Sequence, residues 1–199
     1  MTVASHIEIR TLGPETLGDL LAFFDGPGFA DNEHWAGCAD EFYHTRGDAW
    51  DATLAARDAH RAAKIAGVKA GTRPGFLAYR DGAVVGWLNA ARFDRYENPR
   101  GFDTAYGGDL GEAGAFMCFV VHPEHRGEGI ASALLEAACA DLKAQGLRYA
   151  VGFARTGAPT QSWHTFATFN YHGPLSMYEK AGFTKLREGD GWAVMRKEL

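Results

Sequence analysis

Apolar and polar residues alternate over His6-Ile-Glu-Ile-Arg10, the period of a strand with one buried face. After Pro14 the period lengthens, and Leu17, Leu20, Leu21 and Phe24 recur at the spacing that lines one side of a helix. Asp25-Gly-Pro-Gly28 cannot continue it. Residues 41–68 are alanine-rich and charged, with Trp50, Leu54, Ala55, Arg57, Asp58, Arg61 and Lys64, and predict one or two amphipathic helices. A hairpin follows, in which Gly75-Phe-Leu-Ala-Tyr-Arg80 and Ala83-Val-Val-Gly-Trp-Leu-Asn-Ala90 flank an Asp81-Gly82 turn. Residues 92–114 are polar and glycine-rich and are expected to form a long loop. Beyond them the pattern predicts a strand over 115–121, a helix over 128–145 stopped by Gly146, and a strand over 147–153. A short helix around Tyr178 and strands over 183–188 and 192–197 complete the chain, with no internal repeat or low-complexity linker.

At 199 residues, 46% hydrophobic and 13% aromatic, the chain can bury a large core at ordinary single-domain size, so one domain over residues 1–199 is expected. A net charge of -5 argues against a nucleic-acid surface, which ordinarily shows a clustered basic excess. No run of about 20 apolar residues predicts a membrane span. The start Met-Thr-Val-Ala-Ser-His lacks the build of a secretion signal, and a cytoplasmic location is expected. Cys38, Cys118 and Cys139 are odd in number and form no CxxC pair, which suits a reducing compartment. Glu33, His34 and Cys38 are not at diagnostic metal spacing, and no metal is expected.

The chemistry concentrates in Cys118-Phe-Val-Val-His-Pro-Glu-His-Arg-Gly-Glu-Gly-Ile-Ala131, where an apolar strand runs into a glycine-rich turn that opens a helix. Unpaired amides and the helix dipole make such a turn an anion cradle. A P-loop would need a Gly-Lys-Ser/Thr ending, which residues 126–132 lack. A dinucleotide fingerprint would want a third glycine where Ser132 stands, and an acid on the following strand, where 147–153 has none. The pattern Arg/Gln-x-x-Gly-x-Gly/Ala is met in full by Arg126, Gly129 and Ala131. Here the chain resembles the GNAT superfamily of N-acetyltransferases, whose acetyl-CoA pyrophosphate loop has this form. Gly173-Pro-Leu-Ser-Met-Tyr-Glu-Lys-Ala-Gly-Phe183 resembles the same family's C-terminal motif, in a less characterised subgroup. The resemblance is clear from Arg73 to Leu199 and poor before Arg73.

That resemblance implies an α/β (α+β) fold with a mixed, twisted sheet of about seven strands, splayed between the fourth and fifth, and flanked by helices. It implies acetyl-CoA as acyl donor, held by the backbone of Phe119, Val120 and Val121 at the pantetheine and by Arg126, Gly127, Glu128, Gly129, Ile130, Ala131 and Ser132 at the pyrophosphate. Tyr178 matches the family's general acid and a cofactor contact, and a backbone amide of the fourth strand, at Val120 or Phe119, is the expected oxyanion donor. Many relatives bind the cofactor through an asparagine at the position of Tyr171; here Asn170 stands beside it. A homodimer would be in keeping with the family.

The general base is less legible. The usual glutamate positions are empty, since Ala115 occupies one and the strand 149–153 carries no acid. Glu112, His164 and His172 are the candidates, histidines because they titrate near neutral pH. Residues 26–72, longer than a minimal helix connection, are expected to form a helical acceptor-site region. Its carboxylates and aromatics, among them Asp31, Glu33, Trp35, Asp40, Glu41 and Trp50, would suit a cationic amine. A small-molecule primary amine attacking acetyl-CoA directly in a ternary complex is therefore the expected reaction. An acetyltransferase for a protein amine and an acyl-CoA-binding regulatory module without turnover are the alternatives.

Overall fold

Seven strands, β1 (Glu8–Thr11), β2 (Phe76–Arg80), β3 (Ala83–Arg92), β4 (Ala113–Val121), β5 (Tyr149–Arg155), β6 (Thr184–Gly189) and β7 (Trp192–Glu198), make up one sheet in the computed structural model. Its order is β1-β2-β3-β4-β5-β7-β6, and residues 6–52, 54–156, 170–189 and 191–199 are described. Among the described strands only β4 and β5 run parallel, and they pair over three positions, Ala113 with Tyr149, Gly114 with Ala150 and Ala115 with Val151. Past Ala115 both strands continue unpaired to each other, which is the splay the family resemblance implies. Among the described residues six helices accompany the sheet: α1 (Leu17–Asp25), α2 (Glu33–Ala36), α3 (Arg57–Lys69), α4 (Phe102–Tyr106), α5 (Ile130–Ala144) and α6 (Leu175–Lys180). None of the described helices is long and apolar enough to cross a membrane.

The core divides by sheet face. On one face Ile130, Leu134, Leu135, Ala138 and Leu142 of α5, with Met177 and Tyr178 of α6, pack on Phe76, Leu88, Phe116 and Ala150. On the other, Leu20, Phe23 and Phe24 of α1 cover Leu77, Tyr79, Trp87 and Val120. Farther along that second face, Tyr43, Phe93, Tyr96 and Tyr106 cover Met117, Val151 and Phe153. A bulge between Asn89 and Ala90 sets two residues of β4 against one of β3, so that Met117 and Cys118 both fall on the second face. Without that extra residue Cys118 would turn toward α5.

Two expectations of helix content change. The helical reading of 41–68 holds only from Arg57, because Ala39 and Asp40 adopt left-handed backbone (φ 47° and 57°) and Phe42–His44 form a single 3-10 turn. Phe42 packs edge-on against both Tyr43 and Trp50, so tertiary contacts rather than helical period govern this stretch. The loop expected over 92–114 contains α4, bounded by left-handed Gly101 and Gly107. Phe102 of α4 stacks on Phe153 at 4.2 Å.

A buried ionic cluster anchors the 38–44 segment. Lys64 reaches from α3 with its side chain fully buried and lies 3.2 Å from Glu41 Oε1 and 3.7 Å from Asp40 Oδ2. Arg73 donates to Glu41 at 2.9 Å, and Trp87 Nε1 donates to Asp40 at 3.0 Å. Buried charges persist only when paired in this way. Burial lifts the Asp40 carboxyl to about 6 despite Lys64 beside it.

Candidate functional site

The turn before α5 has the expected backbone. Gly127 and Gly129 take φ of 82° and 84°, conformations that would strain any residue with a Cβ, and nothing lies within 4 Å of where such an atom would start. Gly129 is the N-cap, so α5 starts at Ile130, two residues later than its sequence pattern suggests. No side chain of the N-cap covers the amides of this first turn. Beside them Arg126 donates to both carboxylate oxygens of Asp31, at 2.5 and 3.1 Å, in a largely buried pair.

From this turn a cavity of about 650 Å³ follows β4. Its walls include Phe119, Val120, Val121, Arg126, Gly127, Gly129, Ile130, Ala131, Ser132 and Asn170, all foreseen as donor contacts. Gly173, Pro174, Ser176, Met177 and Lys180 close one side. Gly28, Phe29, Asp31 and Trp35 approach from the second face of the sheet, joined by Cys118, Tyr171 and Arg155. Two foreseen contacts are not in the walls. Glu128 turns its carboxylate to Arg80 and His125, and Tyr178 lies behind the surface.

The splay between β4 and β5 is filled by residues 171–174. The amide of Phe119 donates to the carbonyl of Tyr171 at 2.6 Å, and Pro174 forms a parallel bridge to Arg155. Tyr178 secures this segment from below. Its hydroxyl donates to the His172 carbonyl at 2.7 Å, and its ring lies where a side chain on Gly152 would collide, 2.2 Å from the missing Cβ. Fully buried, with its phenol pushed well above the usual range by desolvation, it faces no solvent.

Backbone alternation corrects the oxyanion assignment. The amide of His122 donates to Val85 of β3, so the amide of Val120, two residues earlier on the same strand, also points at β3, opposite its partner Trp87. It cannot point into the splay. The amides of Phe119 and Val121 lie on that open edge, the first of them already covered by Tyr171.

The candidate bases also fare differently from expectation. Glu112 ends a 3-10 turn at the start of β4, half exposed and 3.8 Å from Arg148. Six residues at about 3.3 Å each place it roughly 20 Å from Cys118, outside the cavity. His172 is wholly buried, with Nε2 2.9 Å from the Tyr43 hydroxyl, and desolvation drops its imidazole to about 3. It is too weak a base for an amine. His164 lies outside the described residues.

Nor do Asp31, Asp40 and Glu41 form a cationic-amine cage. Asp40 and Glu41 belong to the buried cluster around Lys64, and Asp31 is held by Arg126. No group of three or more His, Cys, Asp or Glu side chains able to hold a metal occurs among the described residues.

The residue that motif reasoning passed over is Tyr171. It lines the cavity, packs edge-on to Trp35 at 5.3 Å, and its hydroxyl lies 3.4 Å from that of Tyr43. Burial raises its phenol above the ordinary value, so it stays protonated. Its signal in the sequence was the departure from the asparagine expected there.

The family model described as an acetyltransferase (GNAT) domain matches residues 72–185. No curated protein is significantly similar in sequence. Among solved structures, an N-acetyltransferase from Staphylococcus aureus Mu50 superposes with a TM-score of 0.52 at 19% identity, covering 98% of both chains. PaiA N-acetyltransferase from Thermoplasma acidophilum, in complex with coenzyme A, gives 0.54 at 15% identity over 98% of this chain and 99% of that one. A ribosomal-protein-alanine N-acetyltransferase from Brucella melitensis gives 0.53 at 18% identity over 96% and 99%. At such identities the likeness speaks for the fold.

Proposed function

Because this chain belongs to the GNAT acetyltransferase family, we propose that it transfers an acetyl group from acetyl-CoA to the primary amine of a small molecule within a ternary complex. The observation that carries this reading is the cavity of about 650 Å³ joining the glycine turn, the open edge of β4 and residues 171–174. It has the parts the donor needs, namely helix-terminal amides and Arg126 for phosphates and an unpaired strand edge for an amide-bearing arm. A similar structure, PaiA, was determined with coenzyme A. In this reading residues 1–199 act as one domain, and 26–72 supply the acceptor side through Phe29 and Trp35.

Bound acetyl-CoA supplies an activated thioester; the chain holds it and handles charge. The turn amides and Arg126 fix the phosphates, for which Asp31 must share or release the guanidinium. Along the open edge, the amide of Val121 is available to pair with the donor arm. The amide of Phe119 is the donor nearest Cys118 for the tetrahedral oxyanion, once the Tyr171 carbonyl moves off it. As the thioester C–S bond breaks, the sulfur takes a proton, and we assign that proton to Tyr171, the phenol in the wall. Tyr178 then keeps the 171–174 segment in place. Among the described residues the wall offers carboxylate and imidazole only at Asp31 and His125, both in the ion pairs of the phosphate end. The amine therefore enters neutral, or passes its proton to water.

The test is thiol release from acetyl-CoA against small primary amines, lysine peptides and free peptide N-termini. Turnover with small amines alone supports the proposal. Turnover restricted to peptides replaces the acceptor with a protein amine, and tight acetyl-CoA binding with no turnover replaces the enzyme with a binding module.

A further inference from the structure

We propose that Tyr43 is a positioning residue for the proton donor: its hydroxyl, backed by His172, hydrogen-bonds the phenolate left when Tyr171 protonates the departing sulfur. The proposal rests on the acyl-transfer reading with Tyr171 as its acid, and adds the buried partner that steadies that acid.

Tyr171 lines the cavity, and a chain of polar contacts continues inward from it. The Tyr43 hydroxyl stands 3.4 Å from the Tyr171 hydroxyl and 2.9 Å from His172 Nε2. Tyr43 and His172 are both buried, and neither lines the cavity. Tyr43 is also held independently of residues 171–174. Its carbonyl accepts the amide of Asn98 at 3.1 Å, and its ring packs edge-on to Phe42 at 5.0 Å. The Tyr171 carbonyl can therefore leave Phe119 without displacing Tyr43.

The surroundings decide which of the two phenols ionises. Burial raises both, but the hydrogen bond between them acts in opposite senses, lowering Tyr171 and raising Tyr43. Tyr43 keeps its proton and donates it to the bond. Arg155 and Arg100 also favour the Tyr171 phenolate, and Cys118 opposes it. For Tyr43 to donate toward Tyr171, its own oxygen must accept from His172, which places the imidazole proton on Nε2. The rest of the ring agrees: Nδ1 is buried without a hydrogen-bond partner, so a proton there would be orphaned. The Phe116 carbonyl bears on the ring without completing a hydrogen bond to Nδ1.

In the reaction, the electron pair of the breaking C–S bond stays on sulfur, and the Tyr171 O–H proton moves to it. The phenol oxygen becomes the charged acceptor for Tyr43. At 3.4 Å the contact is long for two neutral phenols, and charge on the acceptor draws such bonds to about 2.5–2.7 Å. It is a bond that strengthens as the proton leaves, which is the kind that accelerates a step. The proton shed by the amine nitrogen returns through water to the phenolate, so Tyr171 is restored and nothing else is consumed.

The test is kinetic and spectroscopic, on the full chain. With acetyl-CoA and an accepted amine, Tyr43→Phe is expected to lower kcat by about 10–10²-fold, the worth of one hydrogen bond to a charged oxygen, with KM for both substrates unchanged. Combined with Tyr171→Phe, which removes the phenolate, it is expected to add no further loss. His172→Leu and His172→Gln reach the same bond from its other end: the first is expected to match Tyr43→Phe, and the second, whose amide still donates, to keep most of the turnover. A 3-fluorotyrosine incorporated at position 171 alone, followed by fluorine NMR, is expected to titrate higher in the Tyr43→Phe protein. Equal losses from Tyr43→Phe in both backgrounds, or a fluorotyrosine pKa that does not move, reduce Tyr43 to packing and overturn the proposal while leaving acyl transfer intact. Full turnover in Tyr171→Phe also overturns it, by moving the acid elsewhere. Absence of thiol release with any acceptor overturns acyl transfer itself, and this proposal with it.

Discussion

The Tyr171 carbonyl accepts the Phe119 amide at 2.6 Å, so the strand edge that faces the splay is occupied at the level where an acyl group would be activated. A carbonyl in this position does two things. It satisfies a buried amide that would otherwise cost about 1–3 kcal/mol, and it must yield before the same amide can stabilise an oxyanion. In the proposed reaction donor binding and movement of Tyr171 would therefore be coupled, and the assigned proton donor would travel with the segment that uncovers the oxyanion site.

Two phenols seven residues apart in the chain, Tyr171 and Tyr178, separate by mutation. Tyr171→Phe is expected to lower kcat by about 10²–10⁴-fold, the usual range for loss of a general acid, with the acetyl-CoA Kd little changed. Tyr178→Phe leaves the His172 carbonyl without its donor and is expected to lower stability by about 1–3 kcal/mol. Thermal melts and steady-state kinetics on both variants read the two effects, and the reverse pattern would return the acid to Tyr178.

Asp31 and Arg126 make a second prediction. Phosphate must compete with a partly buried carboxylate for the guanidinium, so Asp31→Asn is expected to tighten acetyl-CoA binding several-fold. Arg126→Gln is expected to weaken it by about tenfold or more, with a shallower salt dependence. Calorimetric titration at two ionic strengths measures both. Weaker binding in Asp31→Asn would mean that the carboxylate orients the arginine.

Stability should fall in acid from about pH 6.5 downward. Burial drops His172 from 6.5 to about 3 and holds His44 well below 6.5, so the unfolded chain takes up protons that the folded chain refuses. Stability contributed by the neutral rings is present above 6.5 and is lost as pH falls toward the folded values. Asp40 acts in the opposite sense between 3.8 and about 6, where the folded state holds the extra proton. Two histidines outweigh one carboxyl, so the net slope keeps its sign. Denaturant midpoints between pH 5 and 8 check this, and His172→Gln should flatten the curve.

The succession of strands and helices along the chain and the glycine turn were legible because they depend on features written locally in the chain. Strand alternation, an Asp-Gly hairpin and glycines at positive φ need no knowledge of distant partners. The roles of Asp40 and Glu41 were not legible, because a carboxylate reads alike whether it waits for a substrate or pairs with Lys64, 24 residues after Asp40. Val120 failed for a different reason. Its amide direction follows from which neighbour each edge of β4 faces, and that parity becomes readable only once His122 is seen bonded to Val85. Tyr171 was visible as a departure from a motif, yet its position in the wall follows from the 171–174 segment filling the splay.

That same segment has a bearing on solubility. A sheet that opens between β4 and β5 leaves two strand edges unpaired, and such edges invite pairing with another chain. Here Tyr171 and Pro174 answer one edge each, and the proline adds no amide of its own to extend the ladder. The splay is thereby protected against edge-to-edge aggregation at the very place where the proposed reaction would need it open.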